Sequence, residues 1–347
     1  MKEPASQPES PARDRKAEHI RLALDDRMQV HGDAFEEFLL EHEALPEIDF
    51  ADVDVSTTFL DKPLRAPWVI SCMTGGTGEA TTINRNLAAA AEAFGVAFGV
   101  GSQRKAIEDP GQAASFQVRD VAPQAILLGN LGAVQLNYGF GLEECRRAVG
   151  MIQADALVFH LNPLQEAIQP EGQRNFKGLL DKMAAVAADL EVPVVVKEIG
   201  CGLSGRTGRA LVERGLRILD TAGAGGTSWA RIEGHRAEDI PLGDRFADWG
   251  VRTTDSILQL RSLEGVTIIG SGGVRSGLDA AKAIALGADL VGMAYPFLQV
   301  AGESAAAVVE RLERVTQELK ICMFCAGART LDDLRRLGVR RRDGSRP

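Results

Sequence analysis

The sequence predicts an α/β protein, a (β/α)8 TIM barrel with an N-terminal helical extension and C-terminal helices. Eight short apolar runs alternate with helical stretches, which is the pattern of parallel βαβ units. Polar residues or glycines follow every run, as expected where strand C-termini surround one pocket. A chain of 347 residues can form one large barrel or two medium domains. A doubly wound sheet is the alternative, with its crevice also at the strand C-termini.

The predicted barrel core runs from about residue 66 to about residue 320. Strands are expected at residues 68–73, 96–100, 125–128, 156–159, 192–196, 216–219, 266–269 and 289–293. Helices are expected at residues 83–94, 143–152, 176–190, 205–214, 253–260 and 277–286. Periodic apolar residues predict helical structure over residues 15–45, before the barrel. A further helical segment at 301–337 would pack on the barrel or meet a partner subunit.

The N-terminal composition, the longest apolar stretch and the net charge each exclude a class of protein. Residues 1–14 are rich in Pro, Ser and charge, so they predict a disordered tail rather than a signal peptide, and residues 15–347 then form one domain. The longest apolar stretch, 283–301, is interrupted by Asp289, Pro296 and glycines and predicts no membrane span. The net charge of −9 argues against a general nucleic-acid or membrane-surface binder.

The cysteines indicate a reducing compartment. Five of them lie scattered at positions 72, 145, 201, 322 and 325, which predicts a cytoplasmic protein without a disulfide framework. Cys322 and Cys325 form a C-x-x-C pattern, but no second Cys pair or nearby His completes a zinc site. We interpret them as two small residues on an apolar helix rather than as a metal or redox site.

The richest candidate site follows the fourth predicted strand, where His160, Asn162, Gln165 and Glu166 appear in a loop punctuated by prolines. Glu166 is the candidate metal ligand, because one carboxylate beside substrate phosphates, with water in the other positions, suits Mg²⁺. Gln165 cannot act as an acid or base but can orient a substrate by hydrogen bonding. His160 is a proton shuttle by residue type, although a histidine that closes a strand is often only a hydrogen-bonding group or a phosphate contact.

Several strand ends suggest a bound phosphate and a flavin. Ser271-Gly272-Gly273, which leads into the helix near Gly277, and Gly292-Met293-Ala294 favour a phosphate monoester such as the tail of FMN. Lys197 ends an apolar strand, so it either forms a salt bridge with Glu198 or another neighbour or faces the electron-rich end of a flavin ring.

Other polar groups could complete such a site. Ser102, Asn130 and the backbone at residues 73–75 could hydrogen-bond to a flavin ring. Arg15, Lys16 and His19 form either a solvated helix end or a clamp for an anion.

Seven motifs, taken together and in order, resemble the type 2 isopentenyl diphosphate isomerase family over about residues 15–334. They are Arg15-Lys16-x-x-His19-Ile20, His42-x-Ala44-Leu45-Pro46-Glu47, Met73-Thr74-Gly75-Gly76, Gly101-Ser102-Gln103-Arg104, HLNPLQE at 160–166, Gly225-Gly226-Thr227-Ser228-Trp229 and Ser271-Gly272-Gly273. The resemblance implies an FMN-binding barrel that interconverts isopentenyl and dimethylallyl diphosphate in isoprenoid biosynthesis. It also implies reduced FMN, Mg²⁺, NADPH as flavin reductant and a homo-oligomer, either a tetramer or an octamer.

The resemblance also assigns residues to roles. Catalytic or substrate-facing positions are His160, Asn162 and Gln165. Substrate and diphosphate contacts are Arg15, Lys16, Ser102, Gln103, Arg104 and Gln165, with Glu166 as the Mg²⁺ ligand. FMN contacts are Met73, Thr74, Gly75, Ser102, Asn130, Lys197, Thr227, Gly272, Gly273 and Ala294. Asp61, where the family usually has Gly, departs from the pattern, as do Cys201, Gly205 and the tail.

The implied reaction is a 1,3-allylic proton shift without net redox change, in which the flavin acts as acid and base because this rim has few side chains for that task. Two alternatives stay open. One is an FMN oxidoreductase such as a 2-hydroxy-acid oxidase, for which His235-Arg236 is the only suggestive feature. The other is a flavin- or phosphate-binding protein without catalytic activity.

Overall fold

The computed structural model describes residues 15–30 and 35–345 and contains a closed barrel of eight parallel strands. The barrel strands are β4 (Trp68–Ile70), β5 (Ala97–Gly99), β6 (Leu127–Gly132), β7 (Ala156–Leu161), β8 (Val194–Glu198), β9 (Ile218–Asp220), β10 (Thr267–Ser271) and β11 (Leu290–Met293). Each strand pairs with the next, and β11 closes the ring by pairing Val291 with Trp68 of β4. The predicted fold class and all eight predicted strands are confirmed.

Helices surround the barrel, and short helices also form within the loops that follow its strands. They are α1 (Arg15–Ala23), α2 (Gly78–Phe94), α3 (Arg104–Glu108), α4 (Leu142–Ile152), α5 (Pro163–Ile168), α6 (Leu179–Asp189), α7 (Gly205–Glu213), α8 (Trp229–Arg236), α9 (Ile240–Arg245), α10 (Thr253–Leu260), α11 (Gly277–Leu286), α12 (Tyr295–Ala301), α13 (Ala305–Cys325) and α14 (Leu331–Leu337). The C-terminal helices pack on the barrel as predicted, with α13 against α2 and α11. None of the helices in the described part of the chain is long and apolar enough to cross a membrane.

The strands are apolar on both faces because both faces are buried. On β7, Leu157 and Phe159 belong to the core between strands and helices, whereas Ala156 and Val158 belong to the core inside the barrel. The antiparallel hairpin of β2 (Thr57–Phe59) and β3 (Lys62–Leu64) adds Phe59 to the inner core. Asp61 lies in the turn of this hairpin with a φ of 58°, so the position that usually has Gly does adopt a left-handed backbone.

The N-terminal extension differs from the prediction of helix over residues 15–45: among the described residues of this range, the α-helix ends at Ala23. After a short 3-10 turn at Asp26–Met28, the N–H of Val30 donates to the carbonyl of Gly226, and the carbonyl of Met28 accepts from the N–H of Ser228. This part of the backbone is therefore bonded to the barrel rim and does not continue α1. Further on, β1 (Phe38–Leu39) pairs antiparallel with β12 (Arg340–Arg341) near the C-terminus. The tail predicted at residues 1–14 lies outside the described residues.

Candidate active site

All eight barrel strands end at one cavity of about 250 Å³, and α1 lies beside it. The strand period of two explains which side chains reach the cavity, because residues two positions beyond an inner-core residue face the same interior. Val158 is followed in this way by His160, and Val195 by Lys197. The residues placed by the same rule on other strands are Ser71, Asn130, Ser271 and Gly292.

Most of the predicted site residues line this cavity. They are Arg15, Lys16, Met73, Thr74, Ser102, Arg104, Asn130, His160, Asn162, Gln165, Glu166, Lys197, Thr227, Gly272, Gly273 and Ala294. The structure does not bring Gln103 or Gly75 to the cavity wall. Gln103 is fully buried beneath it, where its side-chain oxygen accepts from the N–H of Asn130 at 2.8 Å. Gly75 instead lies so close to Phe116 that a Cβ atom would overlap the ring.

The loop after β7 holds a connected polar network. The side-chain amide of Asn162 donates to Gln165 Oε1 at 2.9 Å and to Glu166 Oε1 at 3.0 Å. Gln165 Nε2 in turn donates to Glu233 Oε1 at 2.8 Å. Glu166 is buried, and its Oε2 accepts from the backbone N–H of Gln173 at 2.5 Å. These bonds fix both Gln165 and the candidate metal ligand.

His160 is held in one hydrogen-bonded state. Its Nδ1 lies 2.8 Å from Asn130 Oδ1, an acceptor, so Nδ1 carries the proton and Nε2 is left as an acceptor. Burial, with the charges of Lys16 and Lys197, lowers the pKa of His160 to about 3. The imidazole is therefore neutral near pH 7, which favours the hydrogen-bonding role of His160 over the proton shuttle.

Lys197 forms an ion pair with a neighbour, but not with Glu198. Its Nζ lies 3.5 Å from Asp220 Oδ2, across the register that pairs these residues on β8 and β9. Glu198 turns away and accepts from the backbone N–H groups of four successive residues, Ile199 to Gly202. Burial raises the pKa of Glu198 to about 7. Lys197 also lines the cavity, so its charge is available to an anionic group there.

Three cationic side chains lie together on one side of the cavity. Lys16 Nζ donates to the carbonyl of Ser102 at 3.2 Å, and Arg15 lies 3.5 Å from Glu171. Arg104 Nε donates to Glu108 at 2.7 Å. Because these charges lie beside buried Glu166, the arrangement suits a metal-bound polyphosphate.

Close glycine packing forms the opposite wall. A Cβ atom on Gly272, which has a φ of 106°, would lie 2.2 Å from the carbonyl oxygen of Gly223. The N-terminus of α11 is not open to an anion as predicted, since the N–H of Gly277 donates to Glu318 and that of Ser276 to Asp279. Gly272, Gly273 and Ala294 line the cavity, whereas Ser276 and Gly277 at the start of α11 do not.

Three buried polar atoms in the cavity wall, Ser71 Oγ, Thr74 Oγ1 and Asn162 Oδ1, have no hydrogen-bond partner within the described residues. Buried polar groups are normally paired, so these atoms fit a bound polar ligand. The glycine wall and Lys197 fit the phosphate and the anionic ring of a flavin. Within residues 15–30 and 35–345 no cluster of three His, Cys, Asp or Glu side chains could hold a metal, so a cation here fits Glu166 together with ligand oxygens and water.

The site predictions missed two residues, one buried behind the cavity wall and one on the wall itself. Glu233 is fully buried, lies 3.0 Å from His19 Nε2 and also binds Arg236. Burial opposes ionisation of Glu233, but the hydrogen bonds from His19 and Gln165 and the charge of Arg236 leave its pKa lowered. Arg275 lines the cavity and donates to the carbonyl of Val30 at 3.3 Å. A cation just after Ser-Gly-Gly was a usable signal for Arg275, whereas nothing local distinguished Glu233.

Comparison with known proteins gives two kinds of likeness. A family model described as FMN-dependent dehydrogenase matches residues 160–341. Proteins named isopentenyl-diphosphate delta-isomerase are similar over nearly the full length. The one from Nostoc sp. is 48% identical over 97% of this chain and 98% of its own. Those from Synechocystis sp. and Paracoccus zeaxanthinifaciens are 50% and 49% identical, each over 92% of this chain and over 93% and 95% of their own lengths.

Solved structures share the fold at lower identity. A mandelate oxidase with (S)-2-phenylpropionate has a TM-score of 0.63 at 20% identity and covers 94% of this chain and 98% of its own. A putative lactate oxidase from Pediococcus acidilactici has a TM-score of 0.64 at 18% identity, with coverages of 93% and 91%. At these identities the likeness concerns the barrel alone.

Proposed function

The chain belongs to the family of isopentenyl-diphosphate delta-isomerases, and from this premise we propose how its cavity interconverts isopentenyl and dimethylallyl diphosphate. The match to the FMN-dependent dehydrogenase model identifies the FMN-dependent, type 2 form of the enzyme. The observation that carries the function is the identity of 48% along 97% of the chain, which spans every element of the cavity. The reaction is a 1,3-allylic proton shift in isoprenoid biosynthesis, with no net change of redox state.

FMN would be held along the glycine wall and the β8 end of the cavity. Gly272, Gly273 and Ala294 would receive its phosphate, with Thr227 nearby. Lys197 and Asn130 would face the ring, together with Ser102, Met73 and Thr74. When bound and reduced, FMN supplies acid and base groups at the alkene. Gly75 would contribute only through the shape of the loop, since it lies away from the cavity wall.

The diphosphate would lie on the cationic side. Arg15, Lys16 and Arg104 would donate to its oxygens, and Glu166 would hold the Mg²⁺ that offsets the diphosphate charge. Both oxygens of Glu166 already accept hydrogen bonds, so the carboxylate presents itself to the cation in a fixed orientation. Binding energy at this remote end holds the alkene in place for proton transfer.

The hydrocarbon end of the substrate would be positioned by Gln165, His160 and Asn162. Gln165 is oriented by Glu233 on one side and Asn162 on the other, so it can direct the alkene without exchanging a proton itself. His160 is neutral and offers Nε2 as an acceptor. Proton transfer is therefore assigned to the cofactor rather than to these side chains.

The test is anaerobic incubation with isopentenyl diphosphate, Mg²⁺ and reduced FMN in D₂O, followed by NMR. We expect dimethylallyl diphosphate with deuterium incorporated in the methyl group formed at C4, and no consumption of reductant over many turnovers. A protein that binds FMN but forms no product, or that forms product only as reductant or acceptor is consumed, would contradict the proposed function.

NADPH is proposed only as the reductant of FMN, and the assembly is proposed to be a homo-oligomer, a tetramer or an octamer, in the cytoplasm. Stoichiometric bleaching of the flavin absorbance by NADPH without substrate checks the first proposal. Light scattering coupled to size-exclusion chromatography checks the second, and a monomer at working concentration would contradict it.

The oxidase alternative is less well supported. Arg236, which suggested a grip on a substrate carboxylate, is bound instead to Glu233, Glu171 and Glu18 and does not line the cavity. Likeness to mandelate and lactate oxidases at 18–20% identity supports the shared barrel only. Consumption of oxygen with a 2-hydroxy acid would favour the oxidase, and binding of FMN without any turnover would favour a binding protein.

A further inference from the structure

Gln173 connects the two groups proposed to hold the diphosphate. It lies in the loop after α5, and its backbone N–H donates to Glu166 Oε2 at 2.5 Å. Its side-chain oxygen accepts from Arg104 Nη1 at 3.2 Å and from Gln135 Nε2 at 2.8 Å. Arg104, Gln135 and Glu166 all line the cavity, whereas Gln173 stands behind them. One residue therefore bonds to the candidate metal ligand, which follows β7, and to a cation that follows β5, two strands away in the barrel.

The loop that carries Gln173 is folded tightly onto the turn that carries Glu166. A Cβ atom on Gly172 would lie 1.8 Å from the carbonyl oxygen of Glu166, so only glycine allows this approach. Arg174 Nε donates to the same carbonyl at 3.2 Å, and its Nη2 donates to Gln169 at 3.1 Å. The position of Gln173 relative to Glu166 is consequently set by backbone contacts rather than by its own side chain.

Arg104 has a second partner that does not direct it inward. Its Nε donates to Glu108, one helical turn along α3, and the Glu108 side chain is 49% exposed. An exposed pair of this kind restrains a side chain weakly. The amide oxygen of Gln173 restrains the other end of the guanidinium, and because the amide is neutral it leaves the positive charge for an anion.

We propose that Gln173 is a positioning residue that sets the distance between the Arg104 guanidinium and the Glu166 carboxylate, and thereby matches the site to a Mg²⁺-bound diphosphate. The inference rests on the proposed function, since it takes the diphosphate site as given. Gln173 does not line the cavity, so its side chain acts through its partners Arg104 and Gln135, of which Arg104 carries the charge for an anion.

The test measures binding of inorganic pyrophosphate in the presence of Mg²⁺ to the FMN-loaded enzyme by calorimetry. Gln173→Ala and the similarly sized Gln173→Met should each weaken binding by roughly tenfold, the effect of losing one hydrogen bond to a charged group. In turnover, KM for isopentenyl diphosphate should rise by a similar factor while kcat stays within about twofold. Asn175→Ala, an exposed change two residues further along the same loop, is the control. It should leave the Kd for pyrophosphate and the KM for isopentenyl diphosphate unchanged.

A double-mutant cycle with Arg104→Ala separates positioning from a general structural effect. If Gln173 acts through Arg104, adding Gln173→Met to Arg104→Ala should weaken pyrophosphate binding by less than about twofold more. Fully additive losses, or native binding by both single variants of Gln173, would overturn the proposal. Because pyrophosphate binding is measured apart from isomerisation, a wild-type protein that binds pyrophosphate without isomerising would contradict the proposed function and leave this test intact.

Discussion

At the scale of single residues, hydrogen bonds to both oxygens fix the orientation of the Glu166 carboxylate. Asn162 and the N–H of Gln173 each donate to a different oxygen of Glu166, and the side chain is buried. A carboxylate held in this way would lose little conformational freedom on binding a cation. Glu166 is also the only acidic residue among the described residues that line the cavity.

Glu166→Gln should therefore reduce Mg²⁺-dependent turnover by more than the roughly 10–100-fold that loss of an outer partner costs a metal site. FMN should stay bound, because Glu166 lies across the cavity from the glycine wall. Steady-state rates over a Mg²⁺ titration, with the flavin spectrum as internal control, check both parts. Near-native activity at low Mg²⁺ would remove Glu166 from the metal site.

Gln165→Ala should lower kcat by roughly a hundredfold, the effect of misplacing a reacting group by about 1 Å, because the amide proposed to orient the alkene is lost. Binding of Mg²⁺ and pyrophosphate should stay unchanged, since the amide of Asn162 still donates to Glu166. Rapid-quench turnover and calorimetry on the same samples distinguish the two quantities. A change in pyrophosphate affinity with kcat preserved would contradict the orienting role.

His160 should make stability sensitive to acid. Its pKa is lowered from 6.5 to about 3 by burial and by Lys16 and Lys197, so between these values the unfolded chain binds a proton that the native protein does not. The free energy of unfolding should therefore fall as the pH falls below 6.5, by up to about 1.4 kcal/mol per pH unit. Urea unfolding at about pH 7 and about pH 5 should show a smaller loss for His160→Gln than for the wild type, and equal losses would contradict it.

At the scale of elements, the turn between β10 and α11 depends on glycine. Gly272 and Gly273 have φ values of 106° and 68°, and Cβ atoms there would lie 2.2 and 2.3 Å from the carbonyl oxygens of Gly223 and Gly225. Two neighbouring turns thus touch through backbone alone, which leaves N–H groups of the turn close to the cavity.

Gly272→Ala should destabilise the protein by roughly 1–3 kcal/mol and release FMN, because both the backbone conformation and the close contact are lost. Thermal unfolding and the retained flavin absorbance after gel filtration measure the two effects. Gly302→Ala is the matched control, because a Cβ atom added to Gly302 would meet no other atom within 4 Å and the residue has an ordinary φ of −71°. Equal behaviour of the two variants would contradict the role given to the turn.

The strands were predictable from sequence because each is a short apolar run that ends in a polar or glycine residue, as with Val158 before His160. The segment beyond Ala23 was not, because its backbone bonds to Gly226 and Ser228, which lie about 200 positions away in the chain. Gln103 was placed in the site by its motif, yet its neighbours Ser102 and Arg104 reach the cavity while it points beneath Asn130. Such differences of direction between adjacent residues depend on tertiary packing.

At the scale of the whole molecule, the two ends of the described chain are joined outside the barrel. Phe38 pairs with Arg341, and the fully buried Phe38 ring lies 5.1 Å from the Arg341 guanidinium. Arg341 also donates to Glu37 at 3.0 Å, and Arg252 binds the same carboxylate. The last strand thus holds Glu37, Phe38 and Leu39, which follow the N-terminal segment, in place.

Removal of residues 338–347 should lower the free energy of unfolding by roughly 1–3 kcal/mol, since Phe38 loses its cover and Glu37 loses one partner. It should also raise KM, because α1 carries Arg15 and Lys16. Urea unfolding and substrate saturation curves measure the two effects. Arg314→Ala, which removes an exposed ion pair on α13, is the control, and a truncated protein with native values would contradict the role of β12.

The pairing of β1 with β12 has a consequence for synthesis on the ribosome. Arg15 and Lys16, which are proposed to bind the diphosphate, are translated early, whereas the strand that pairs with β1 emerges last, after about 300 further residues, and contacts so distant in sequence form late. A nascent chain could therefore close most of the barrel before β12 is available to pair with β1 and complete the N-terminal region. We expect the newly made enzyme to acquire its cofactor before it acquires affinity for pyrophosphate.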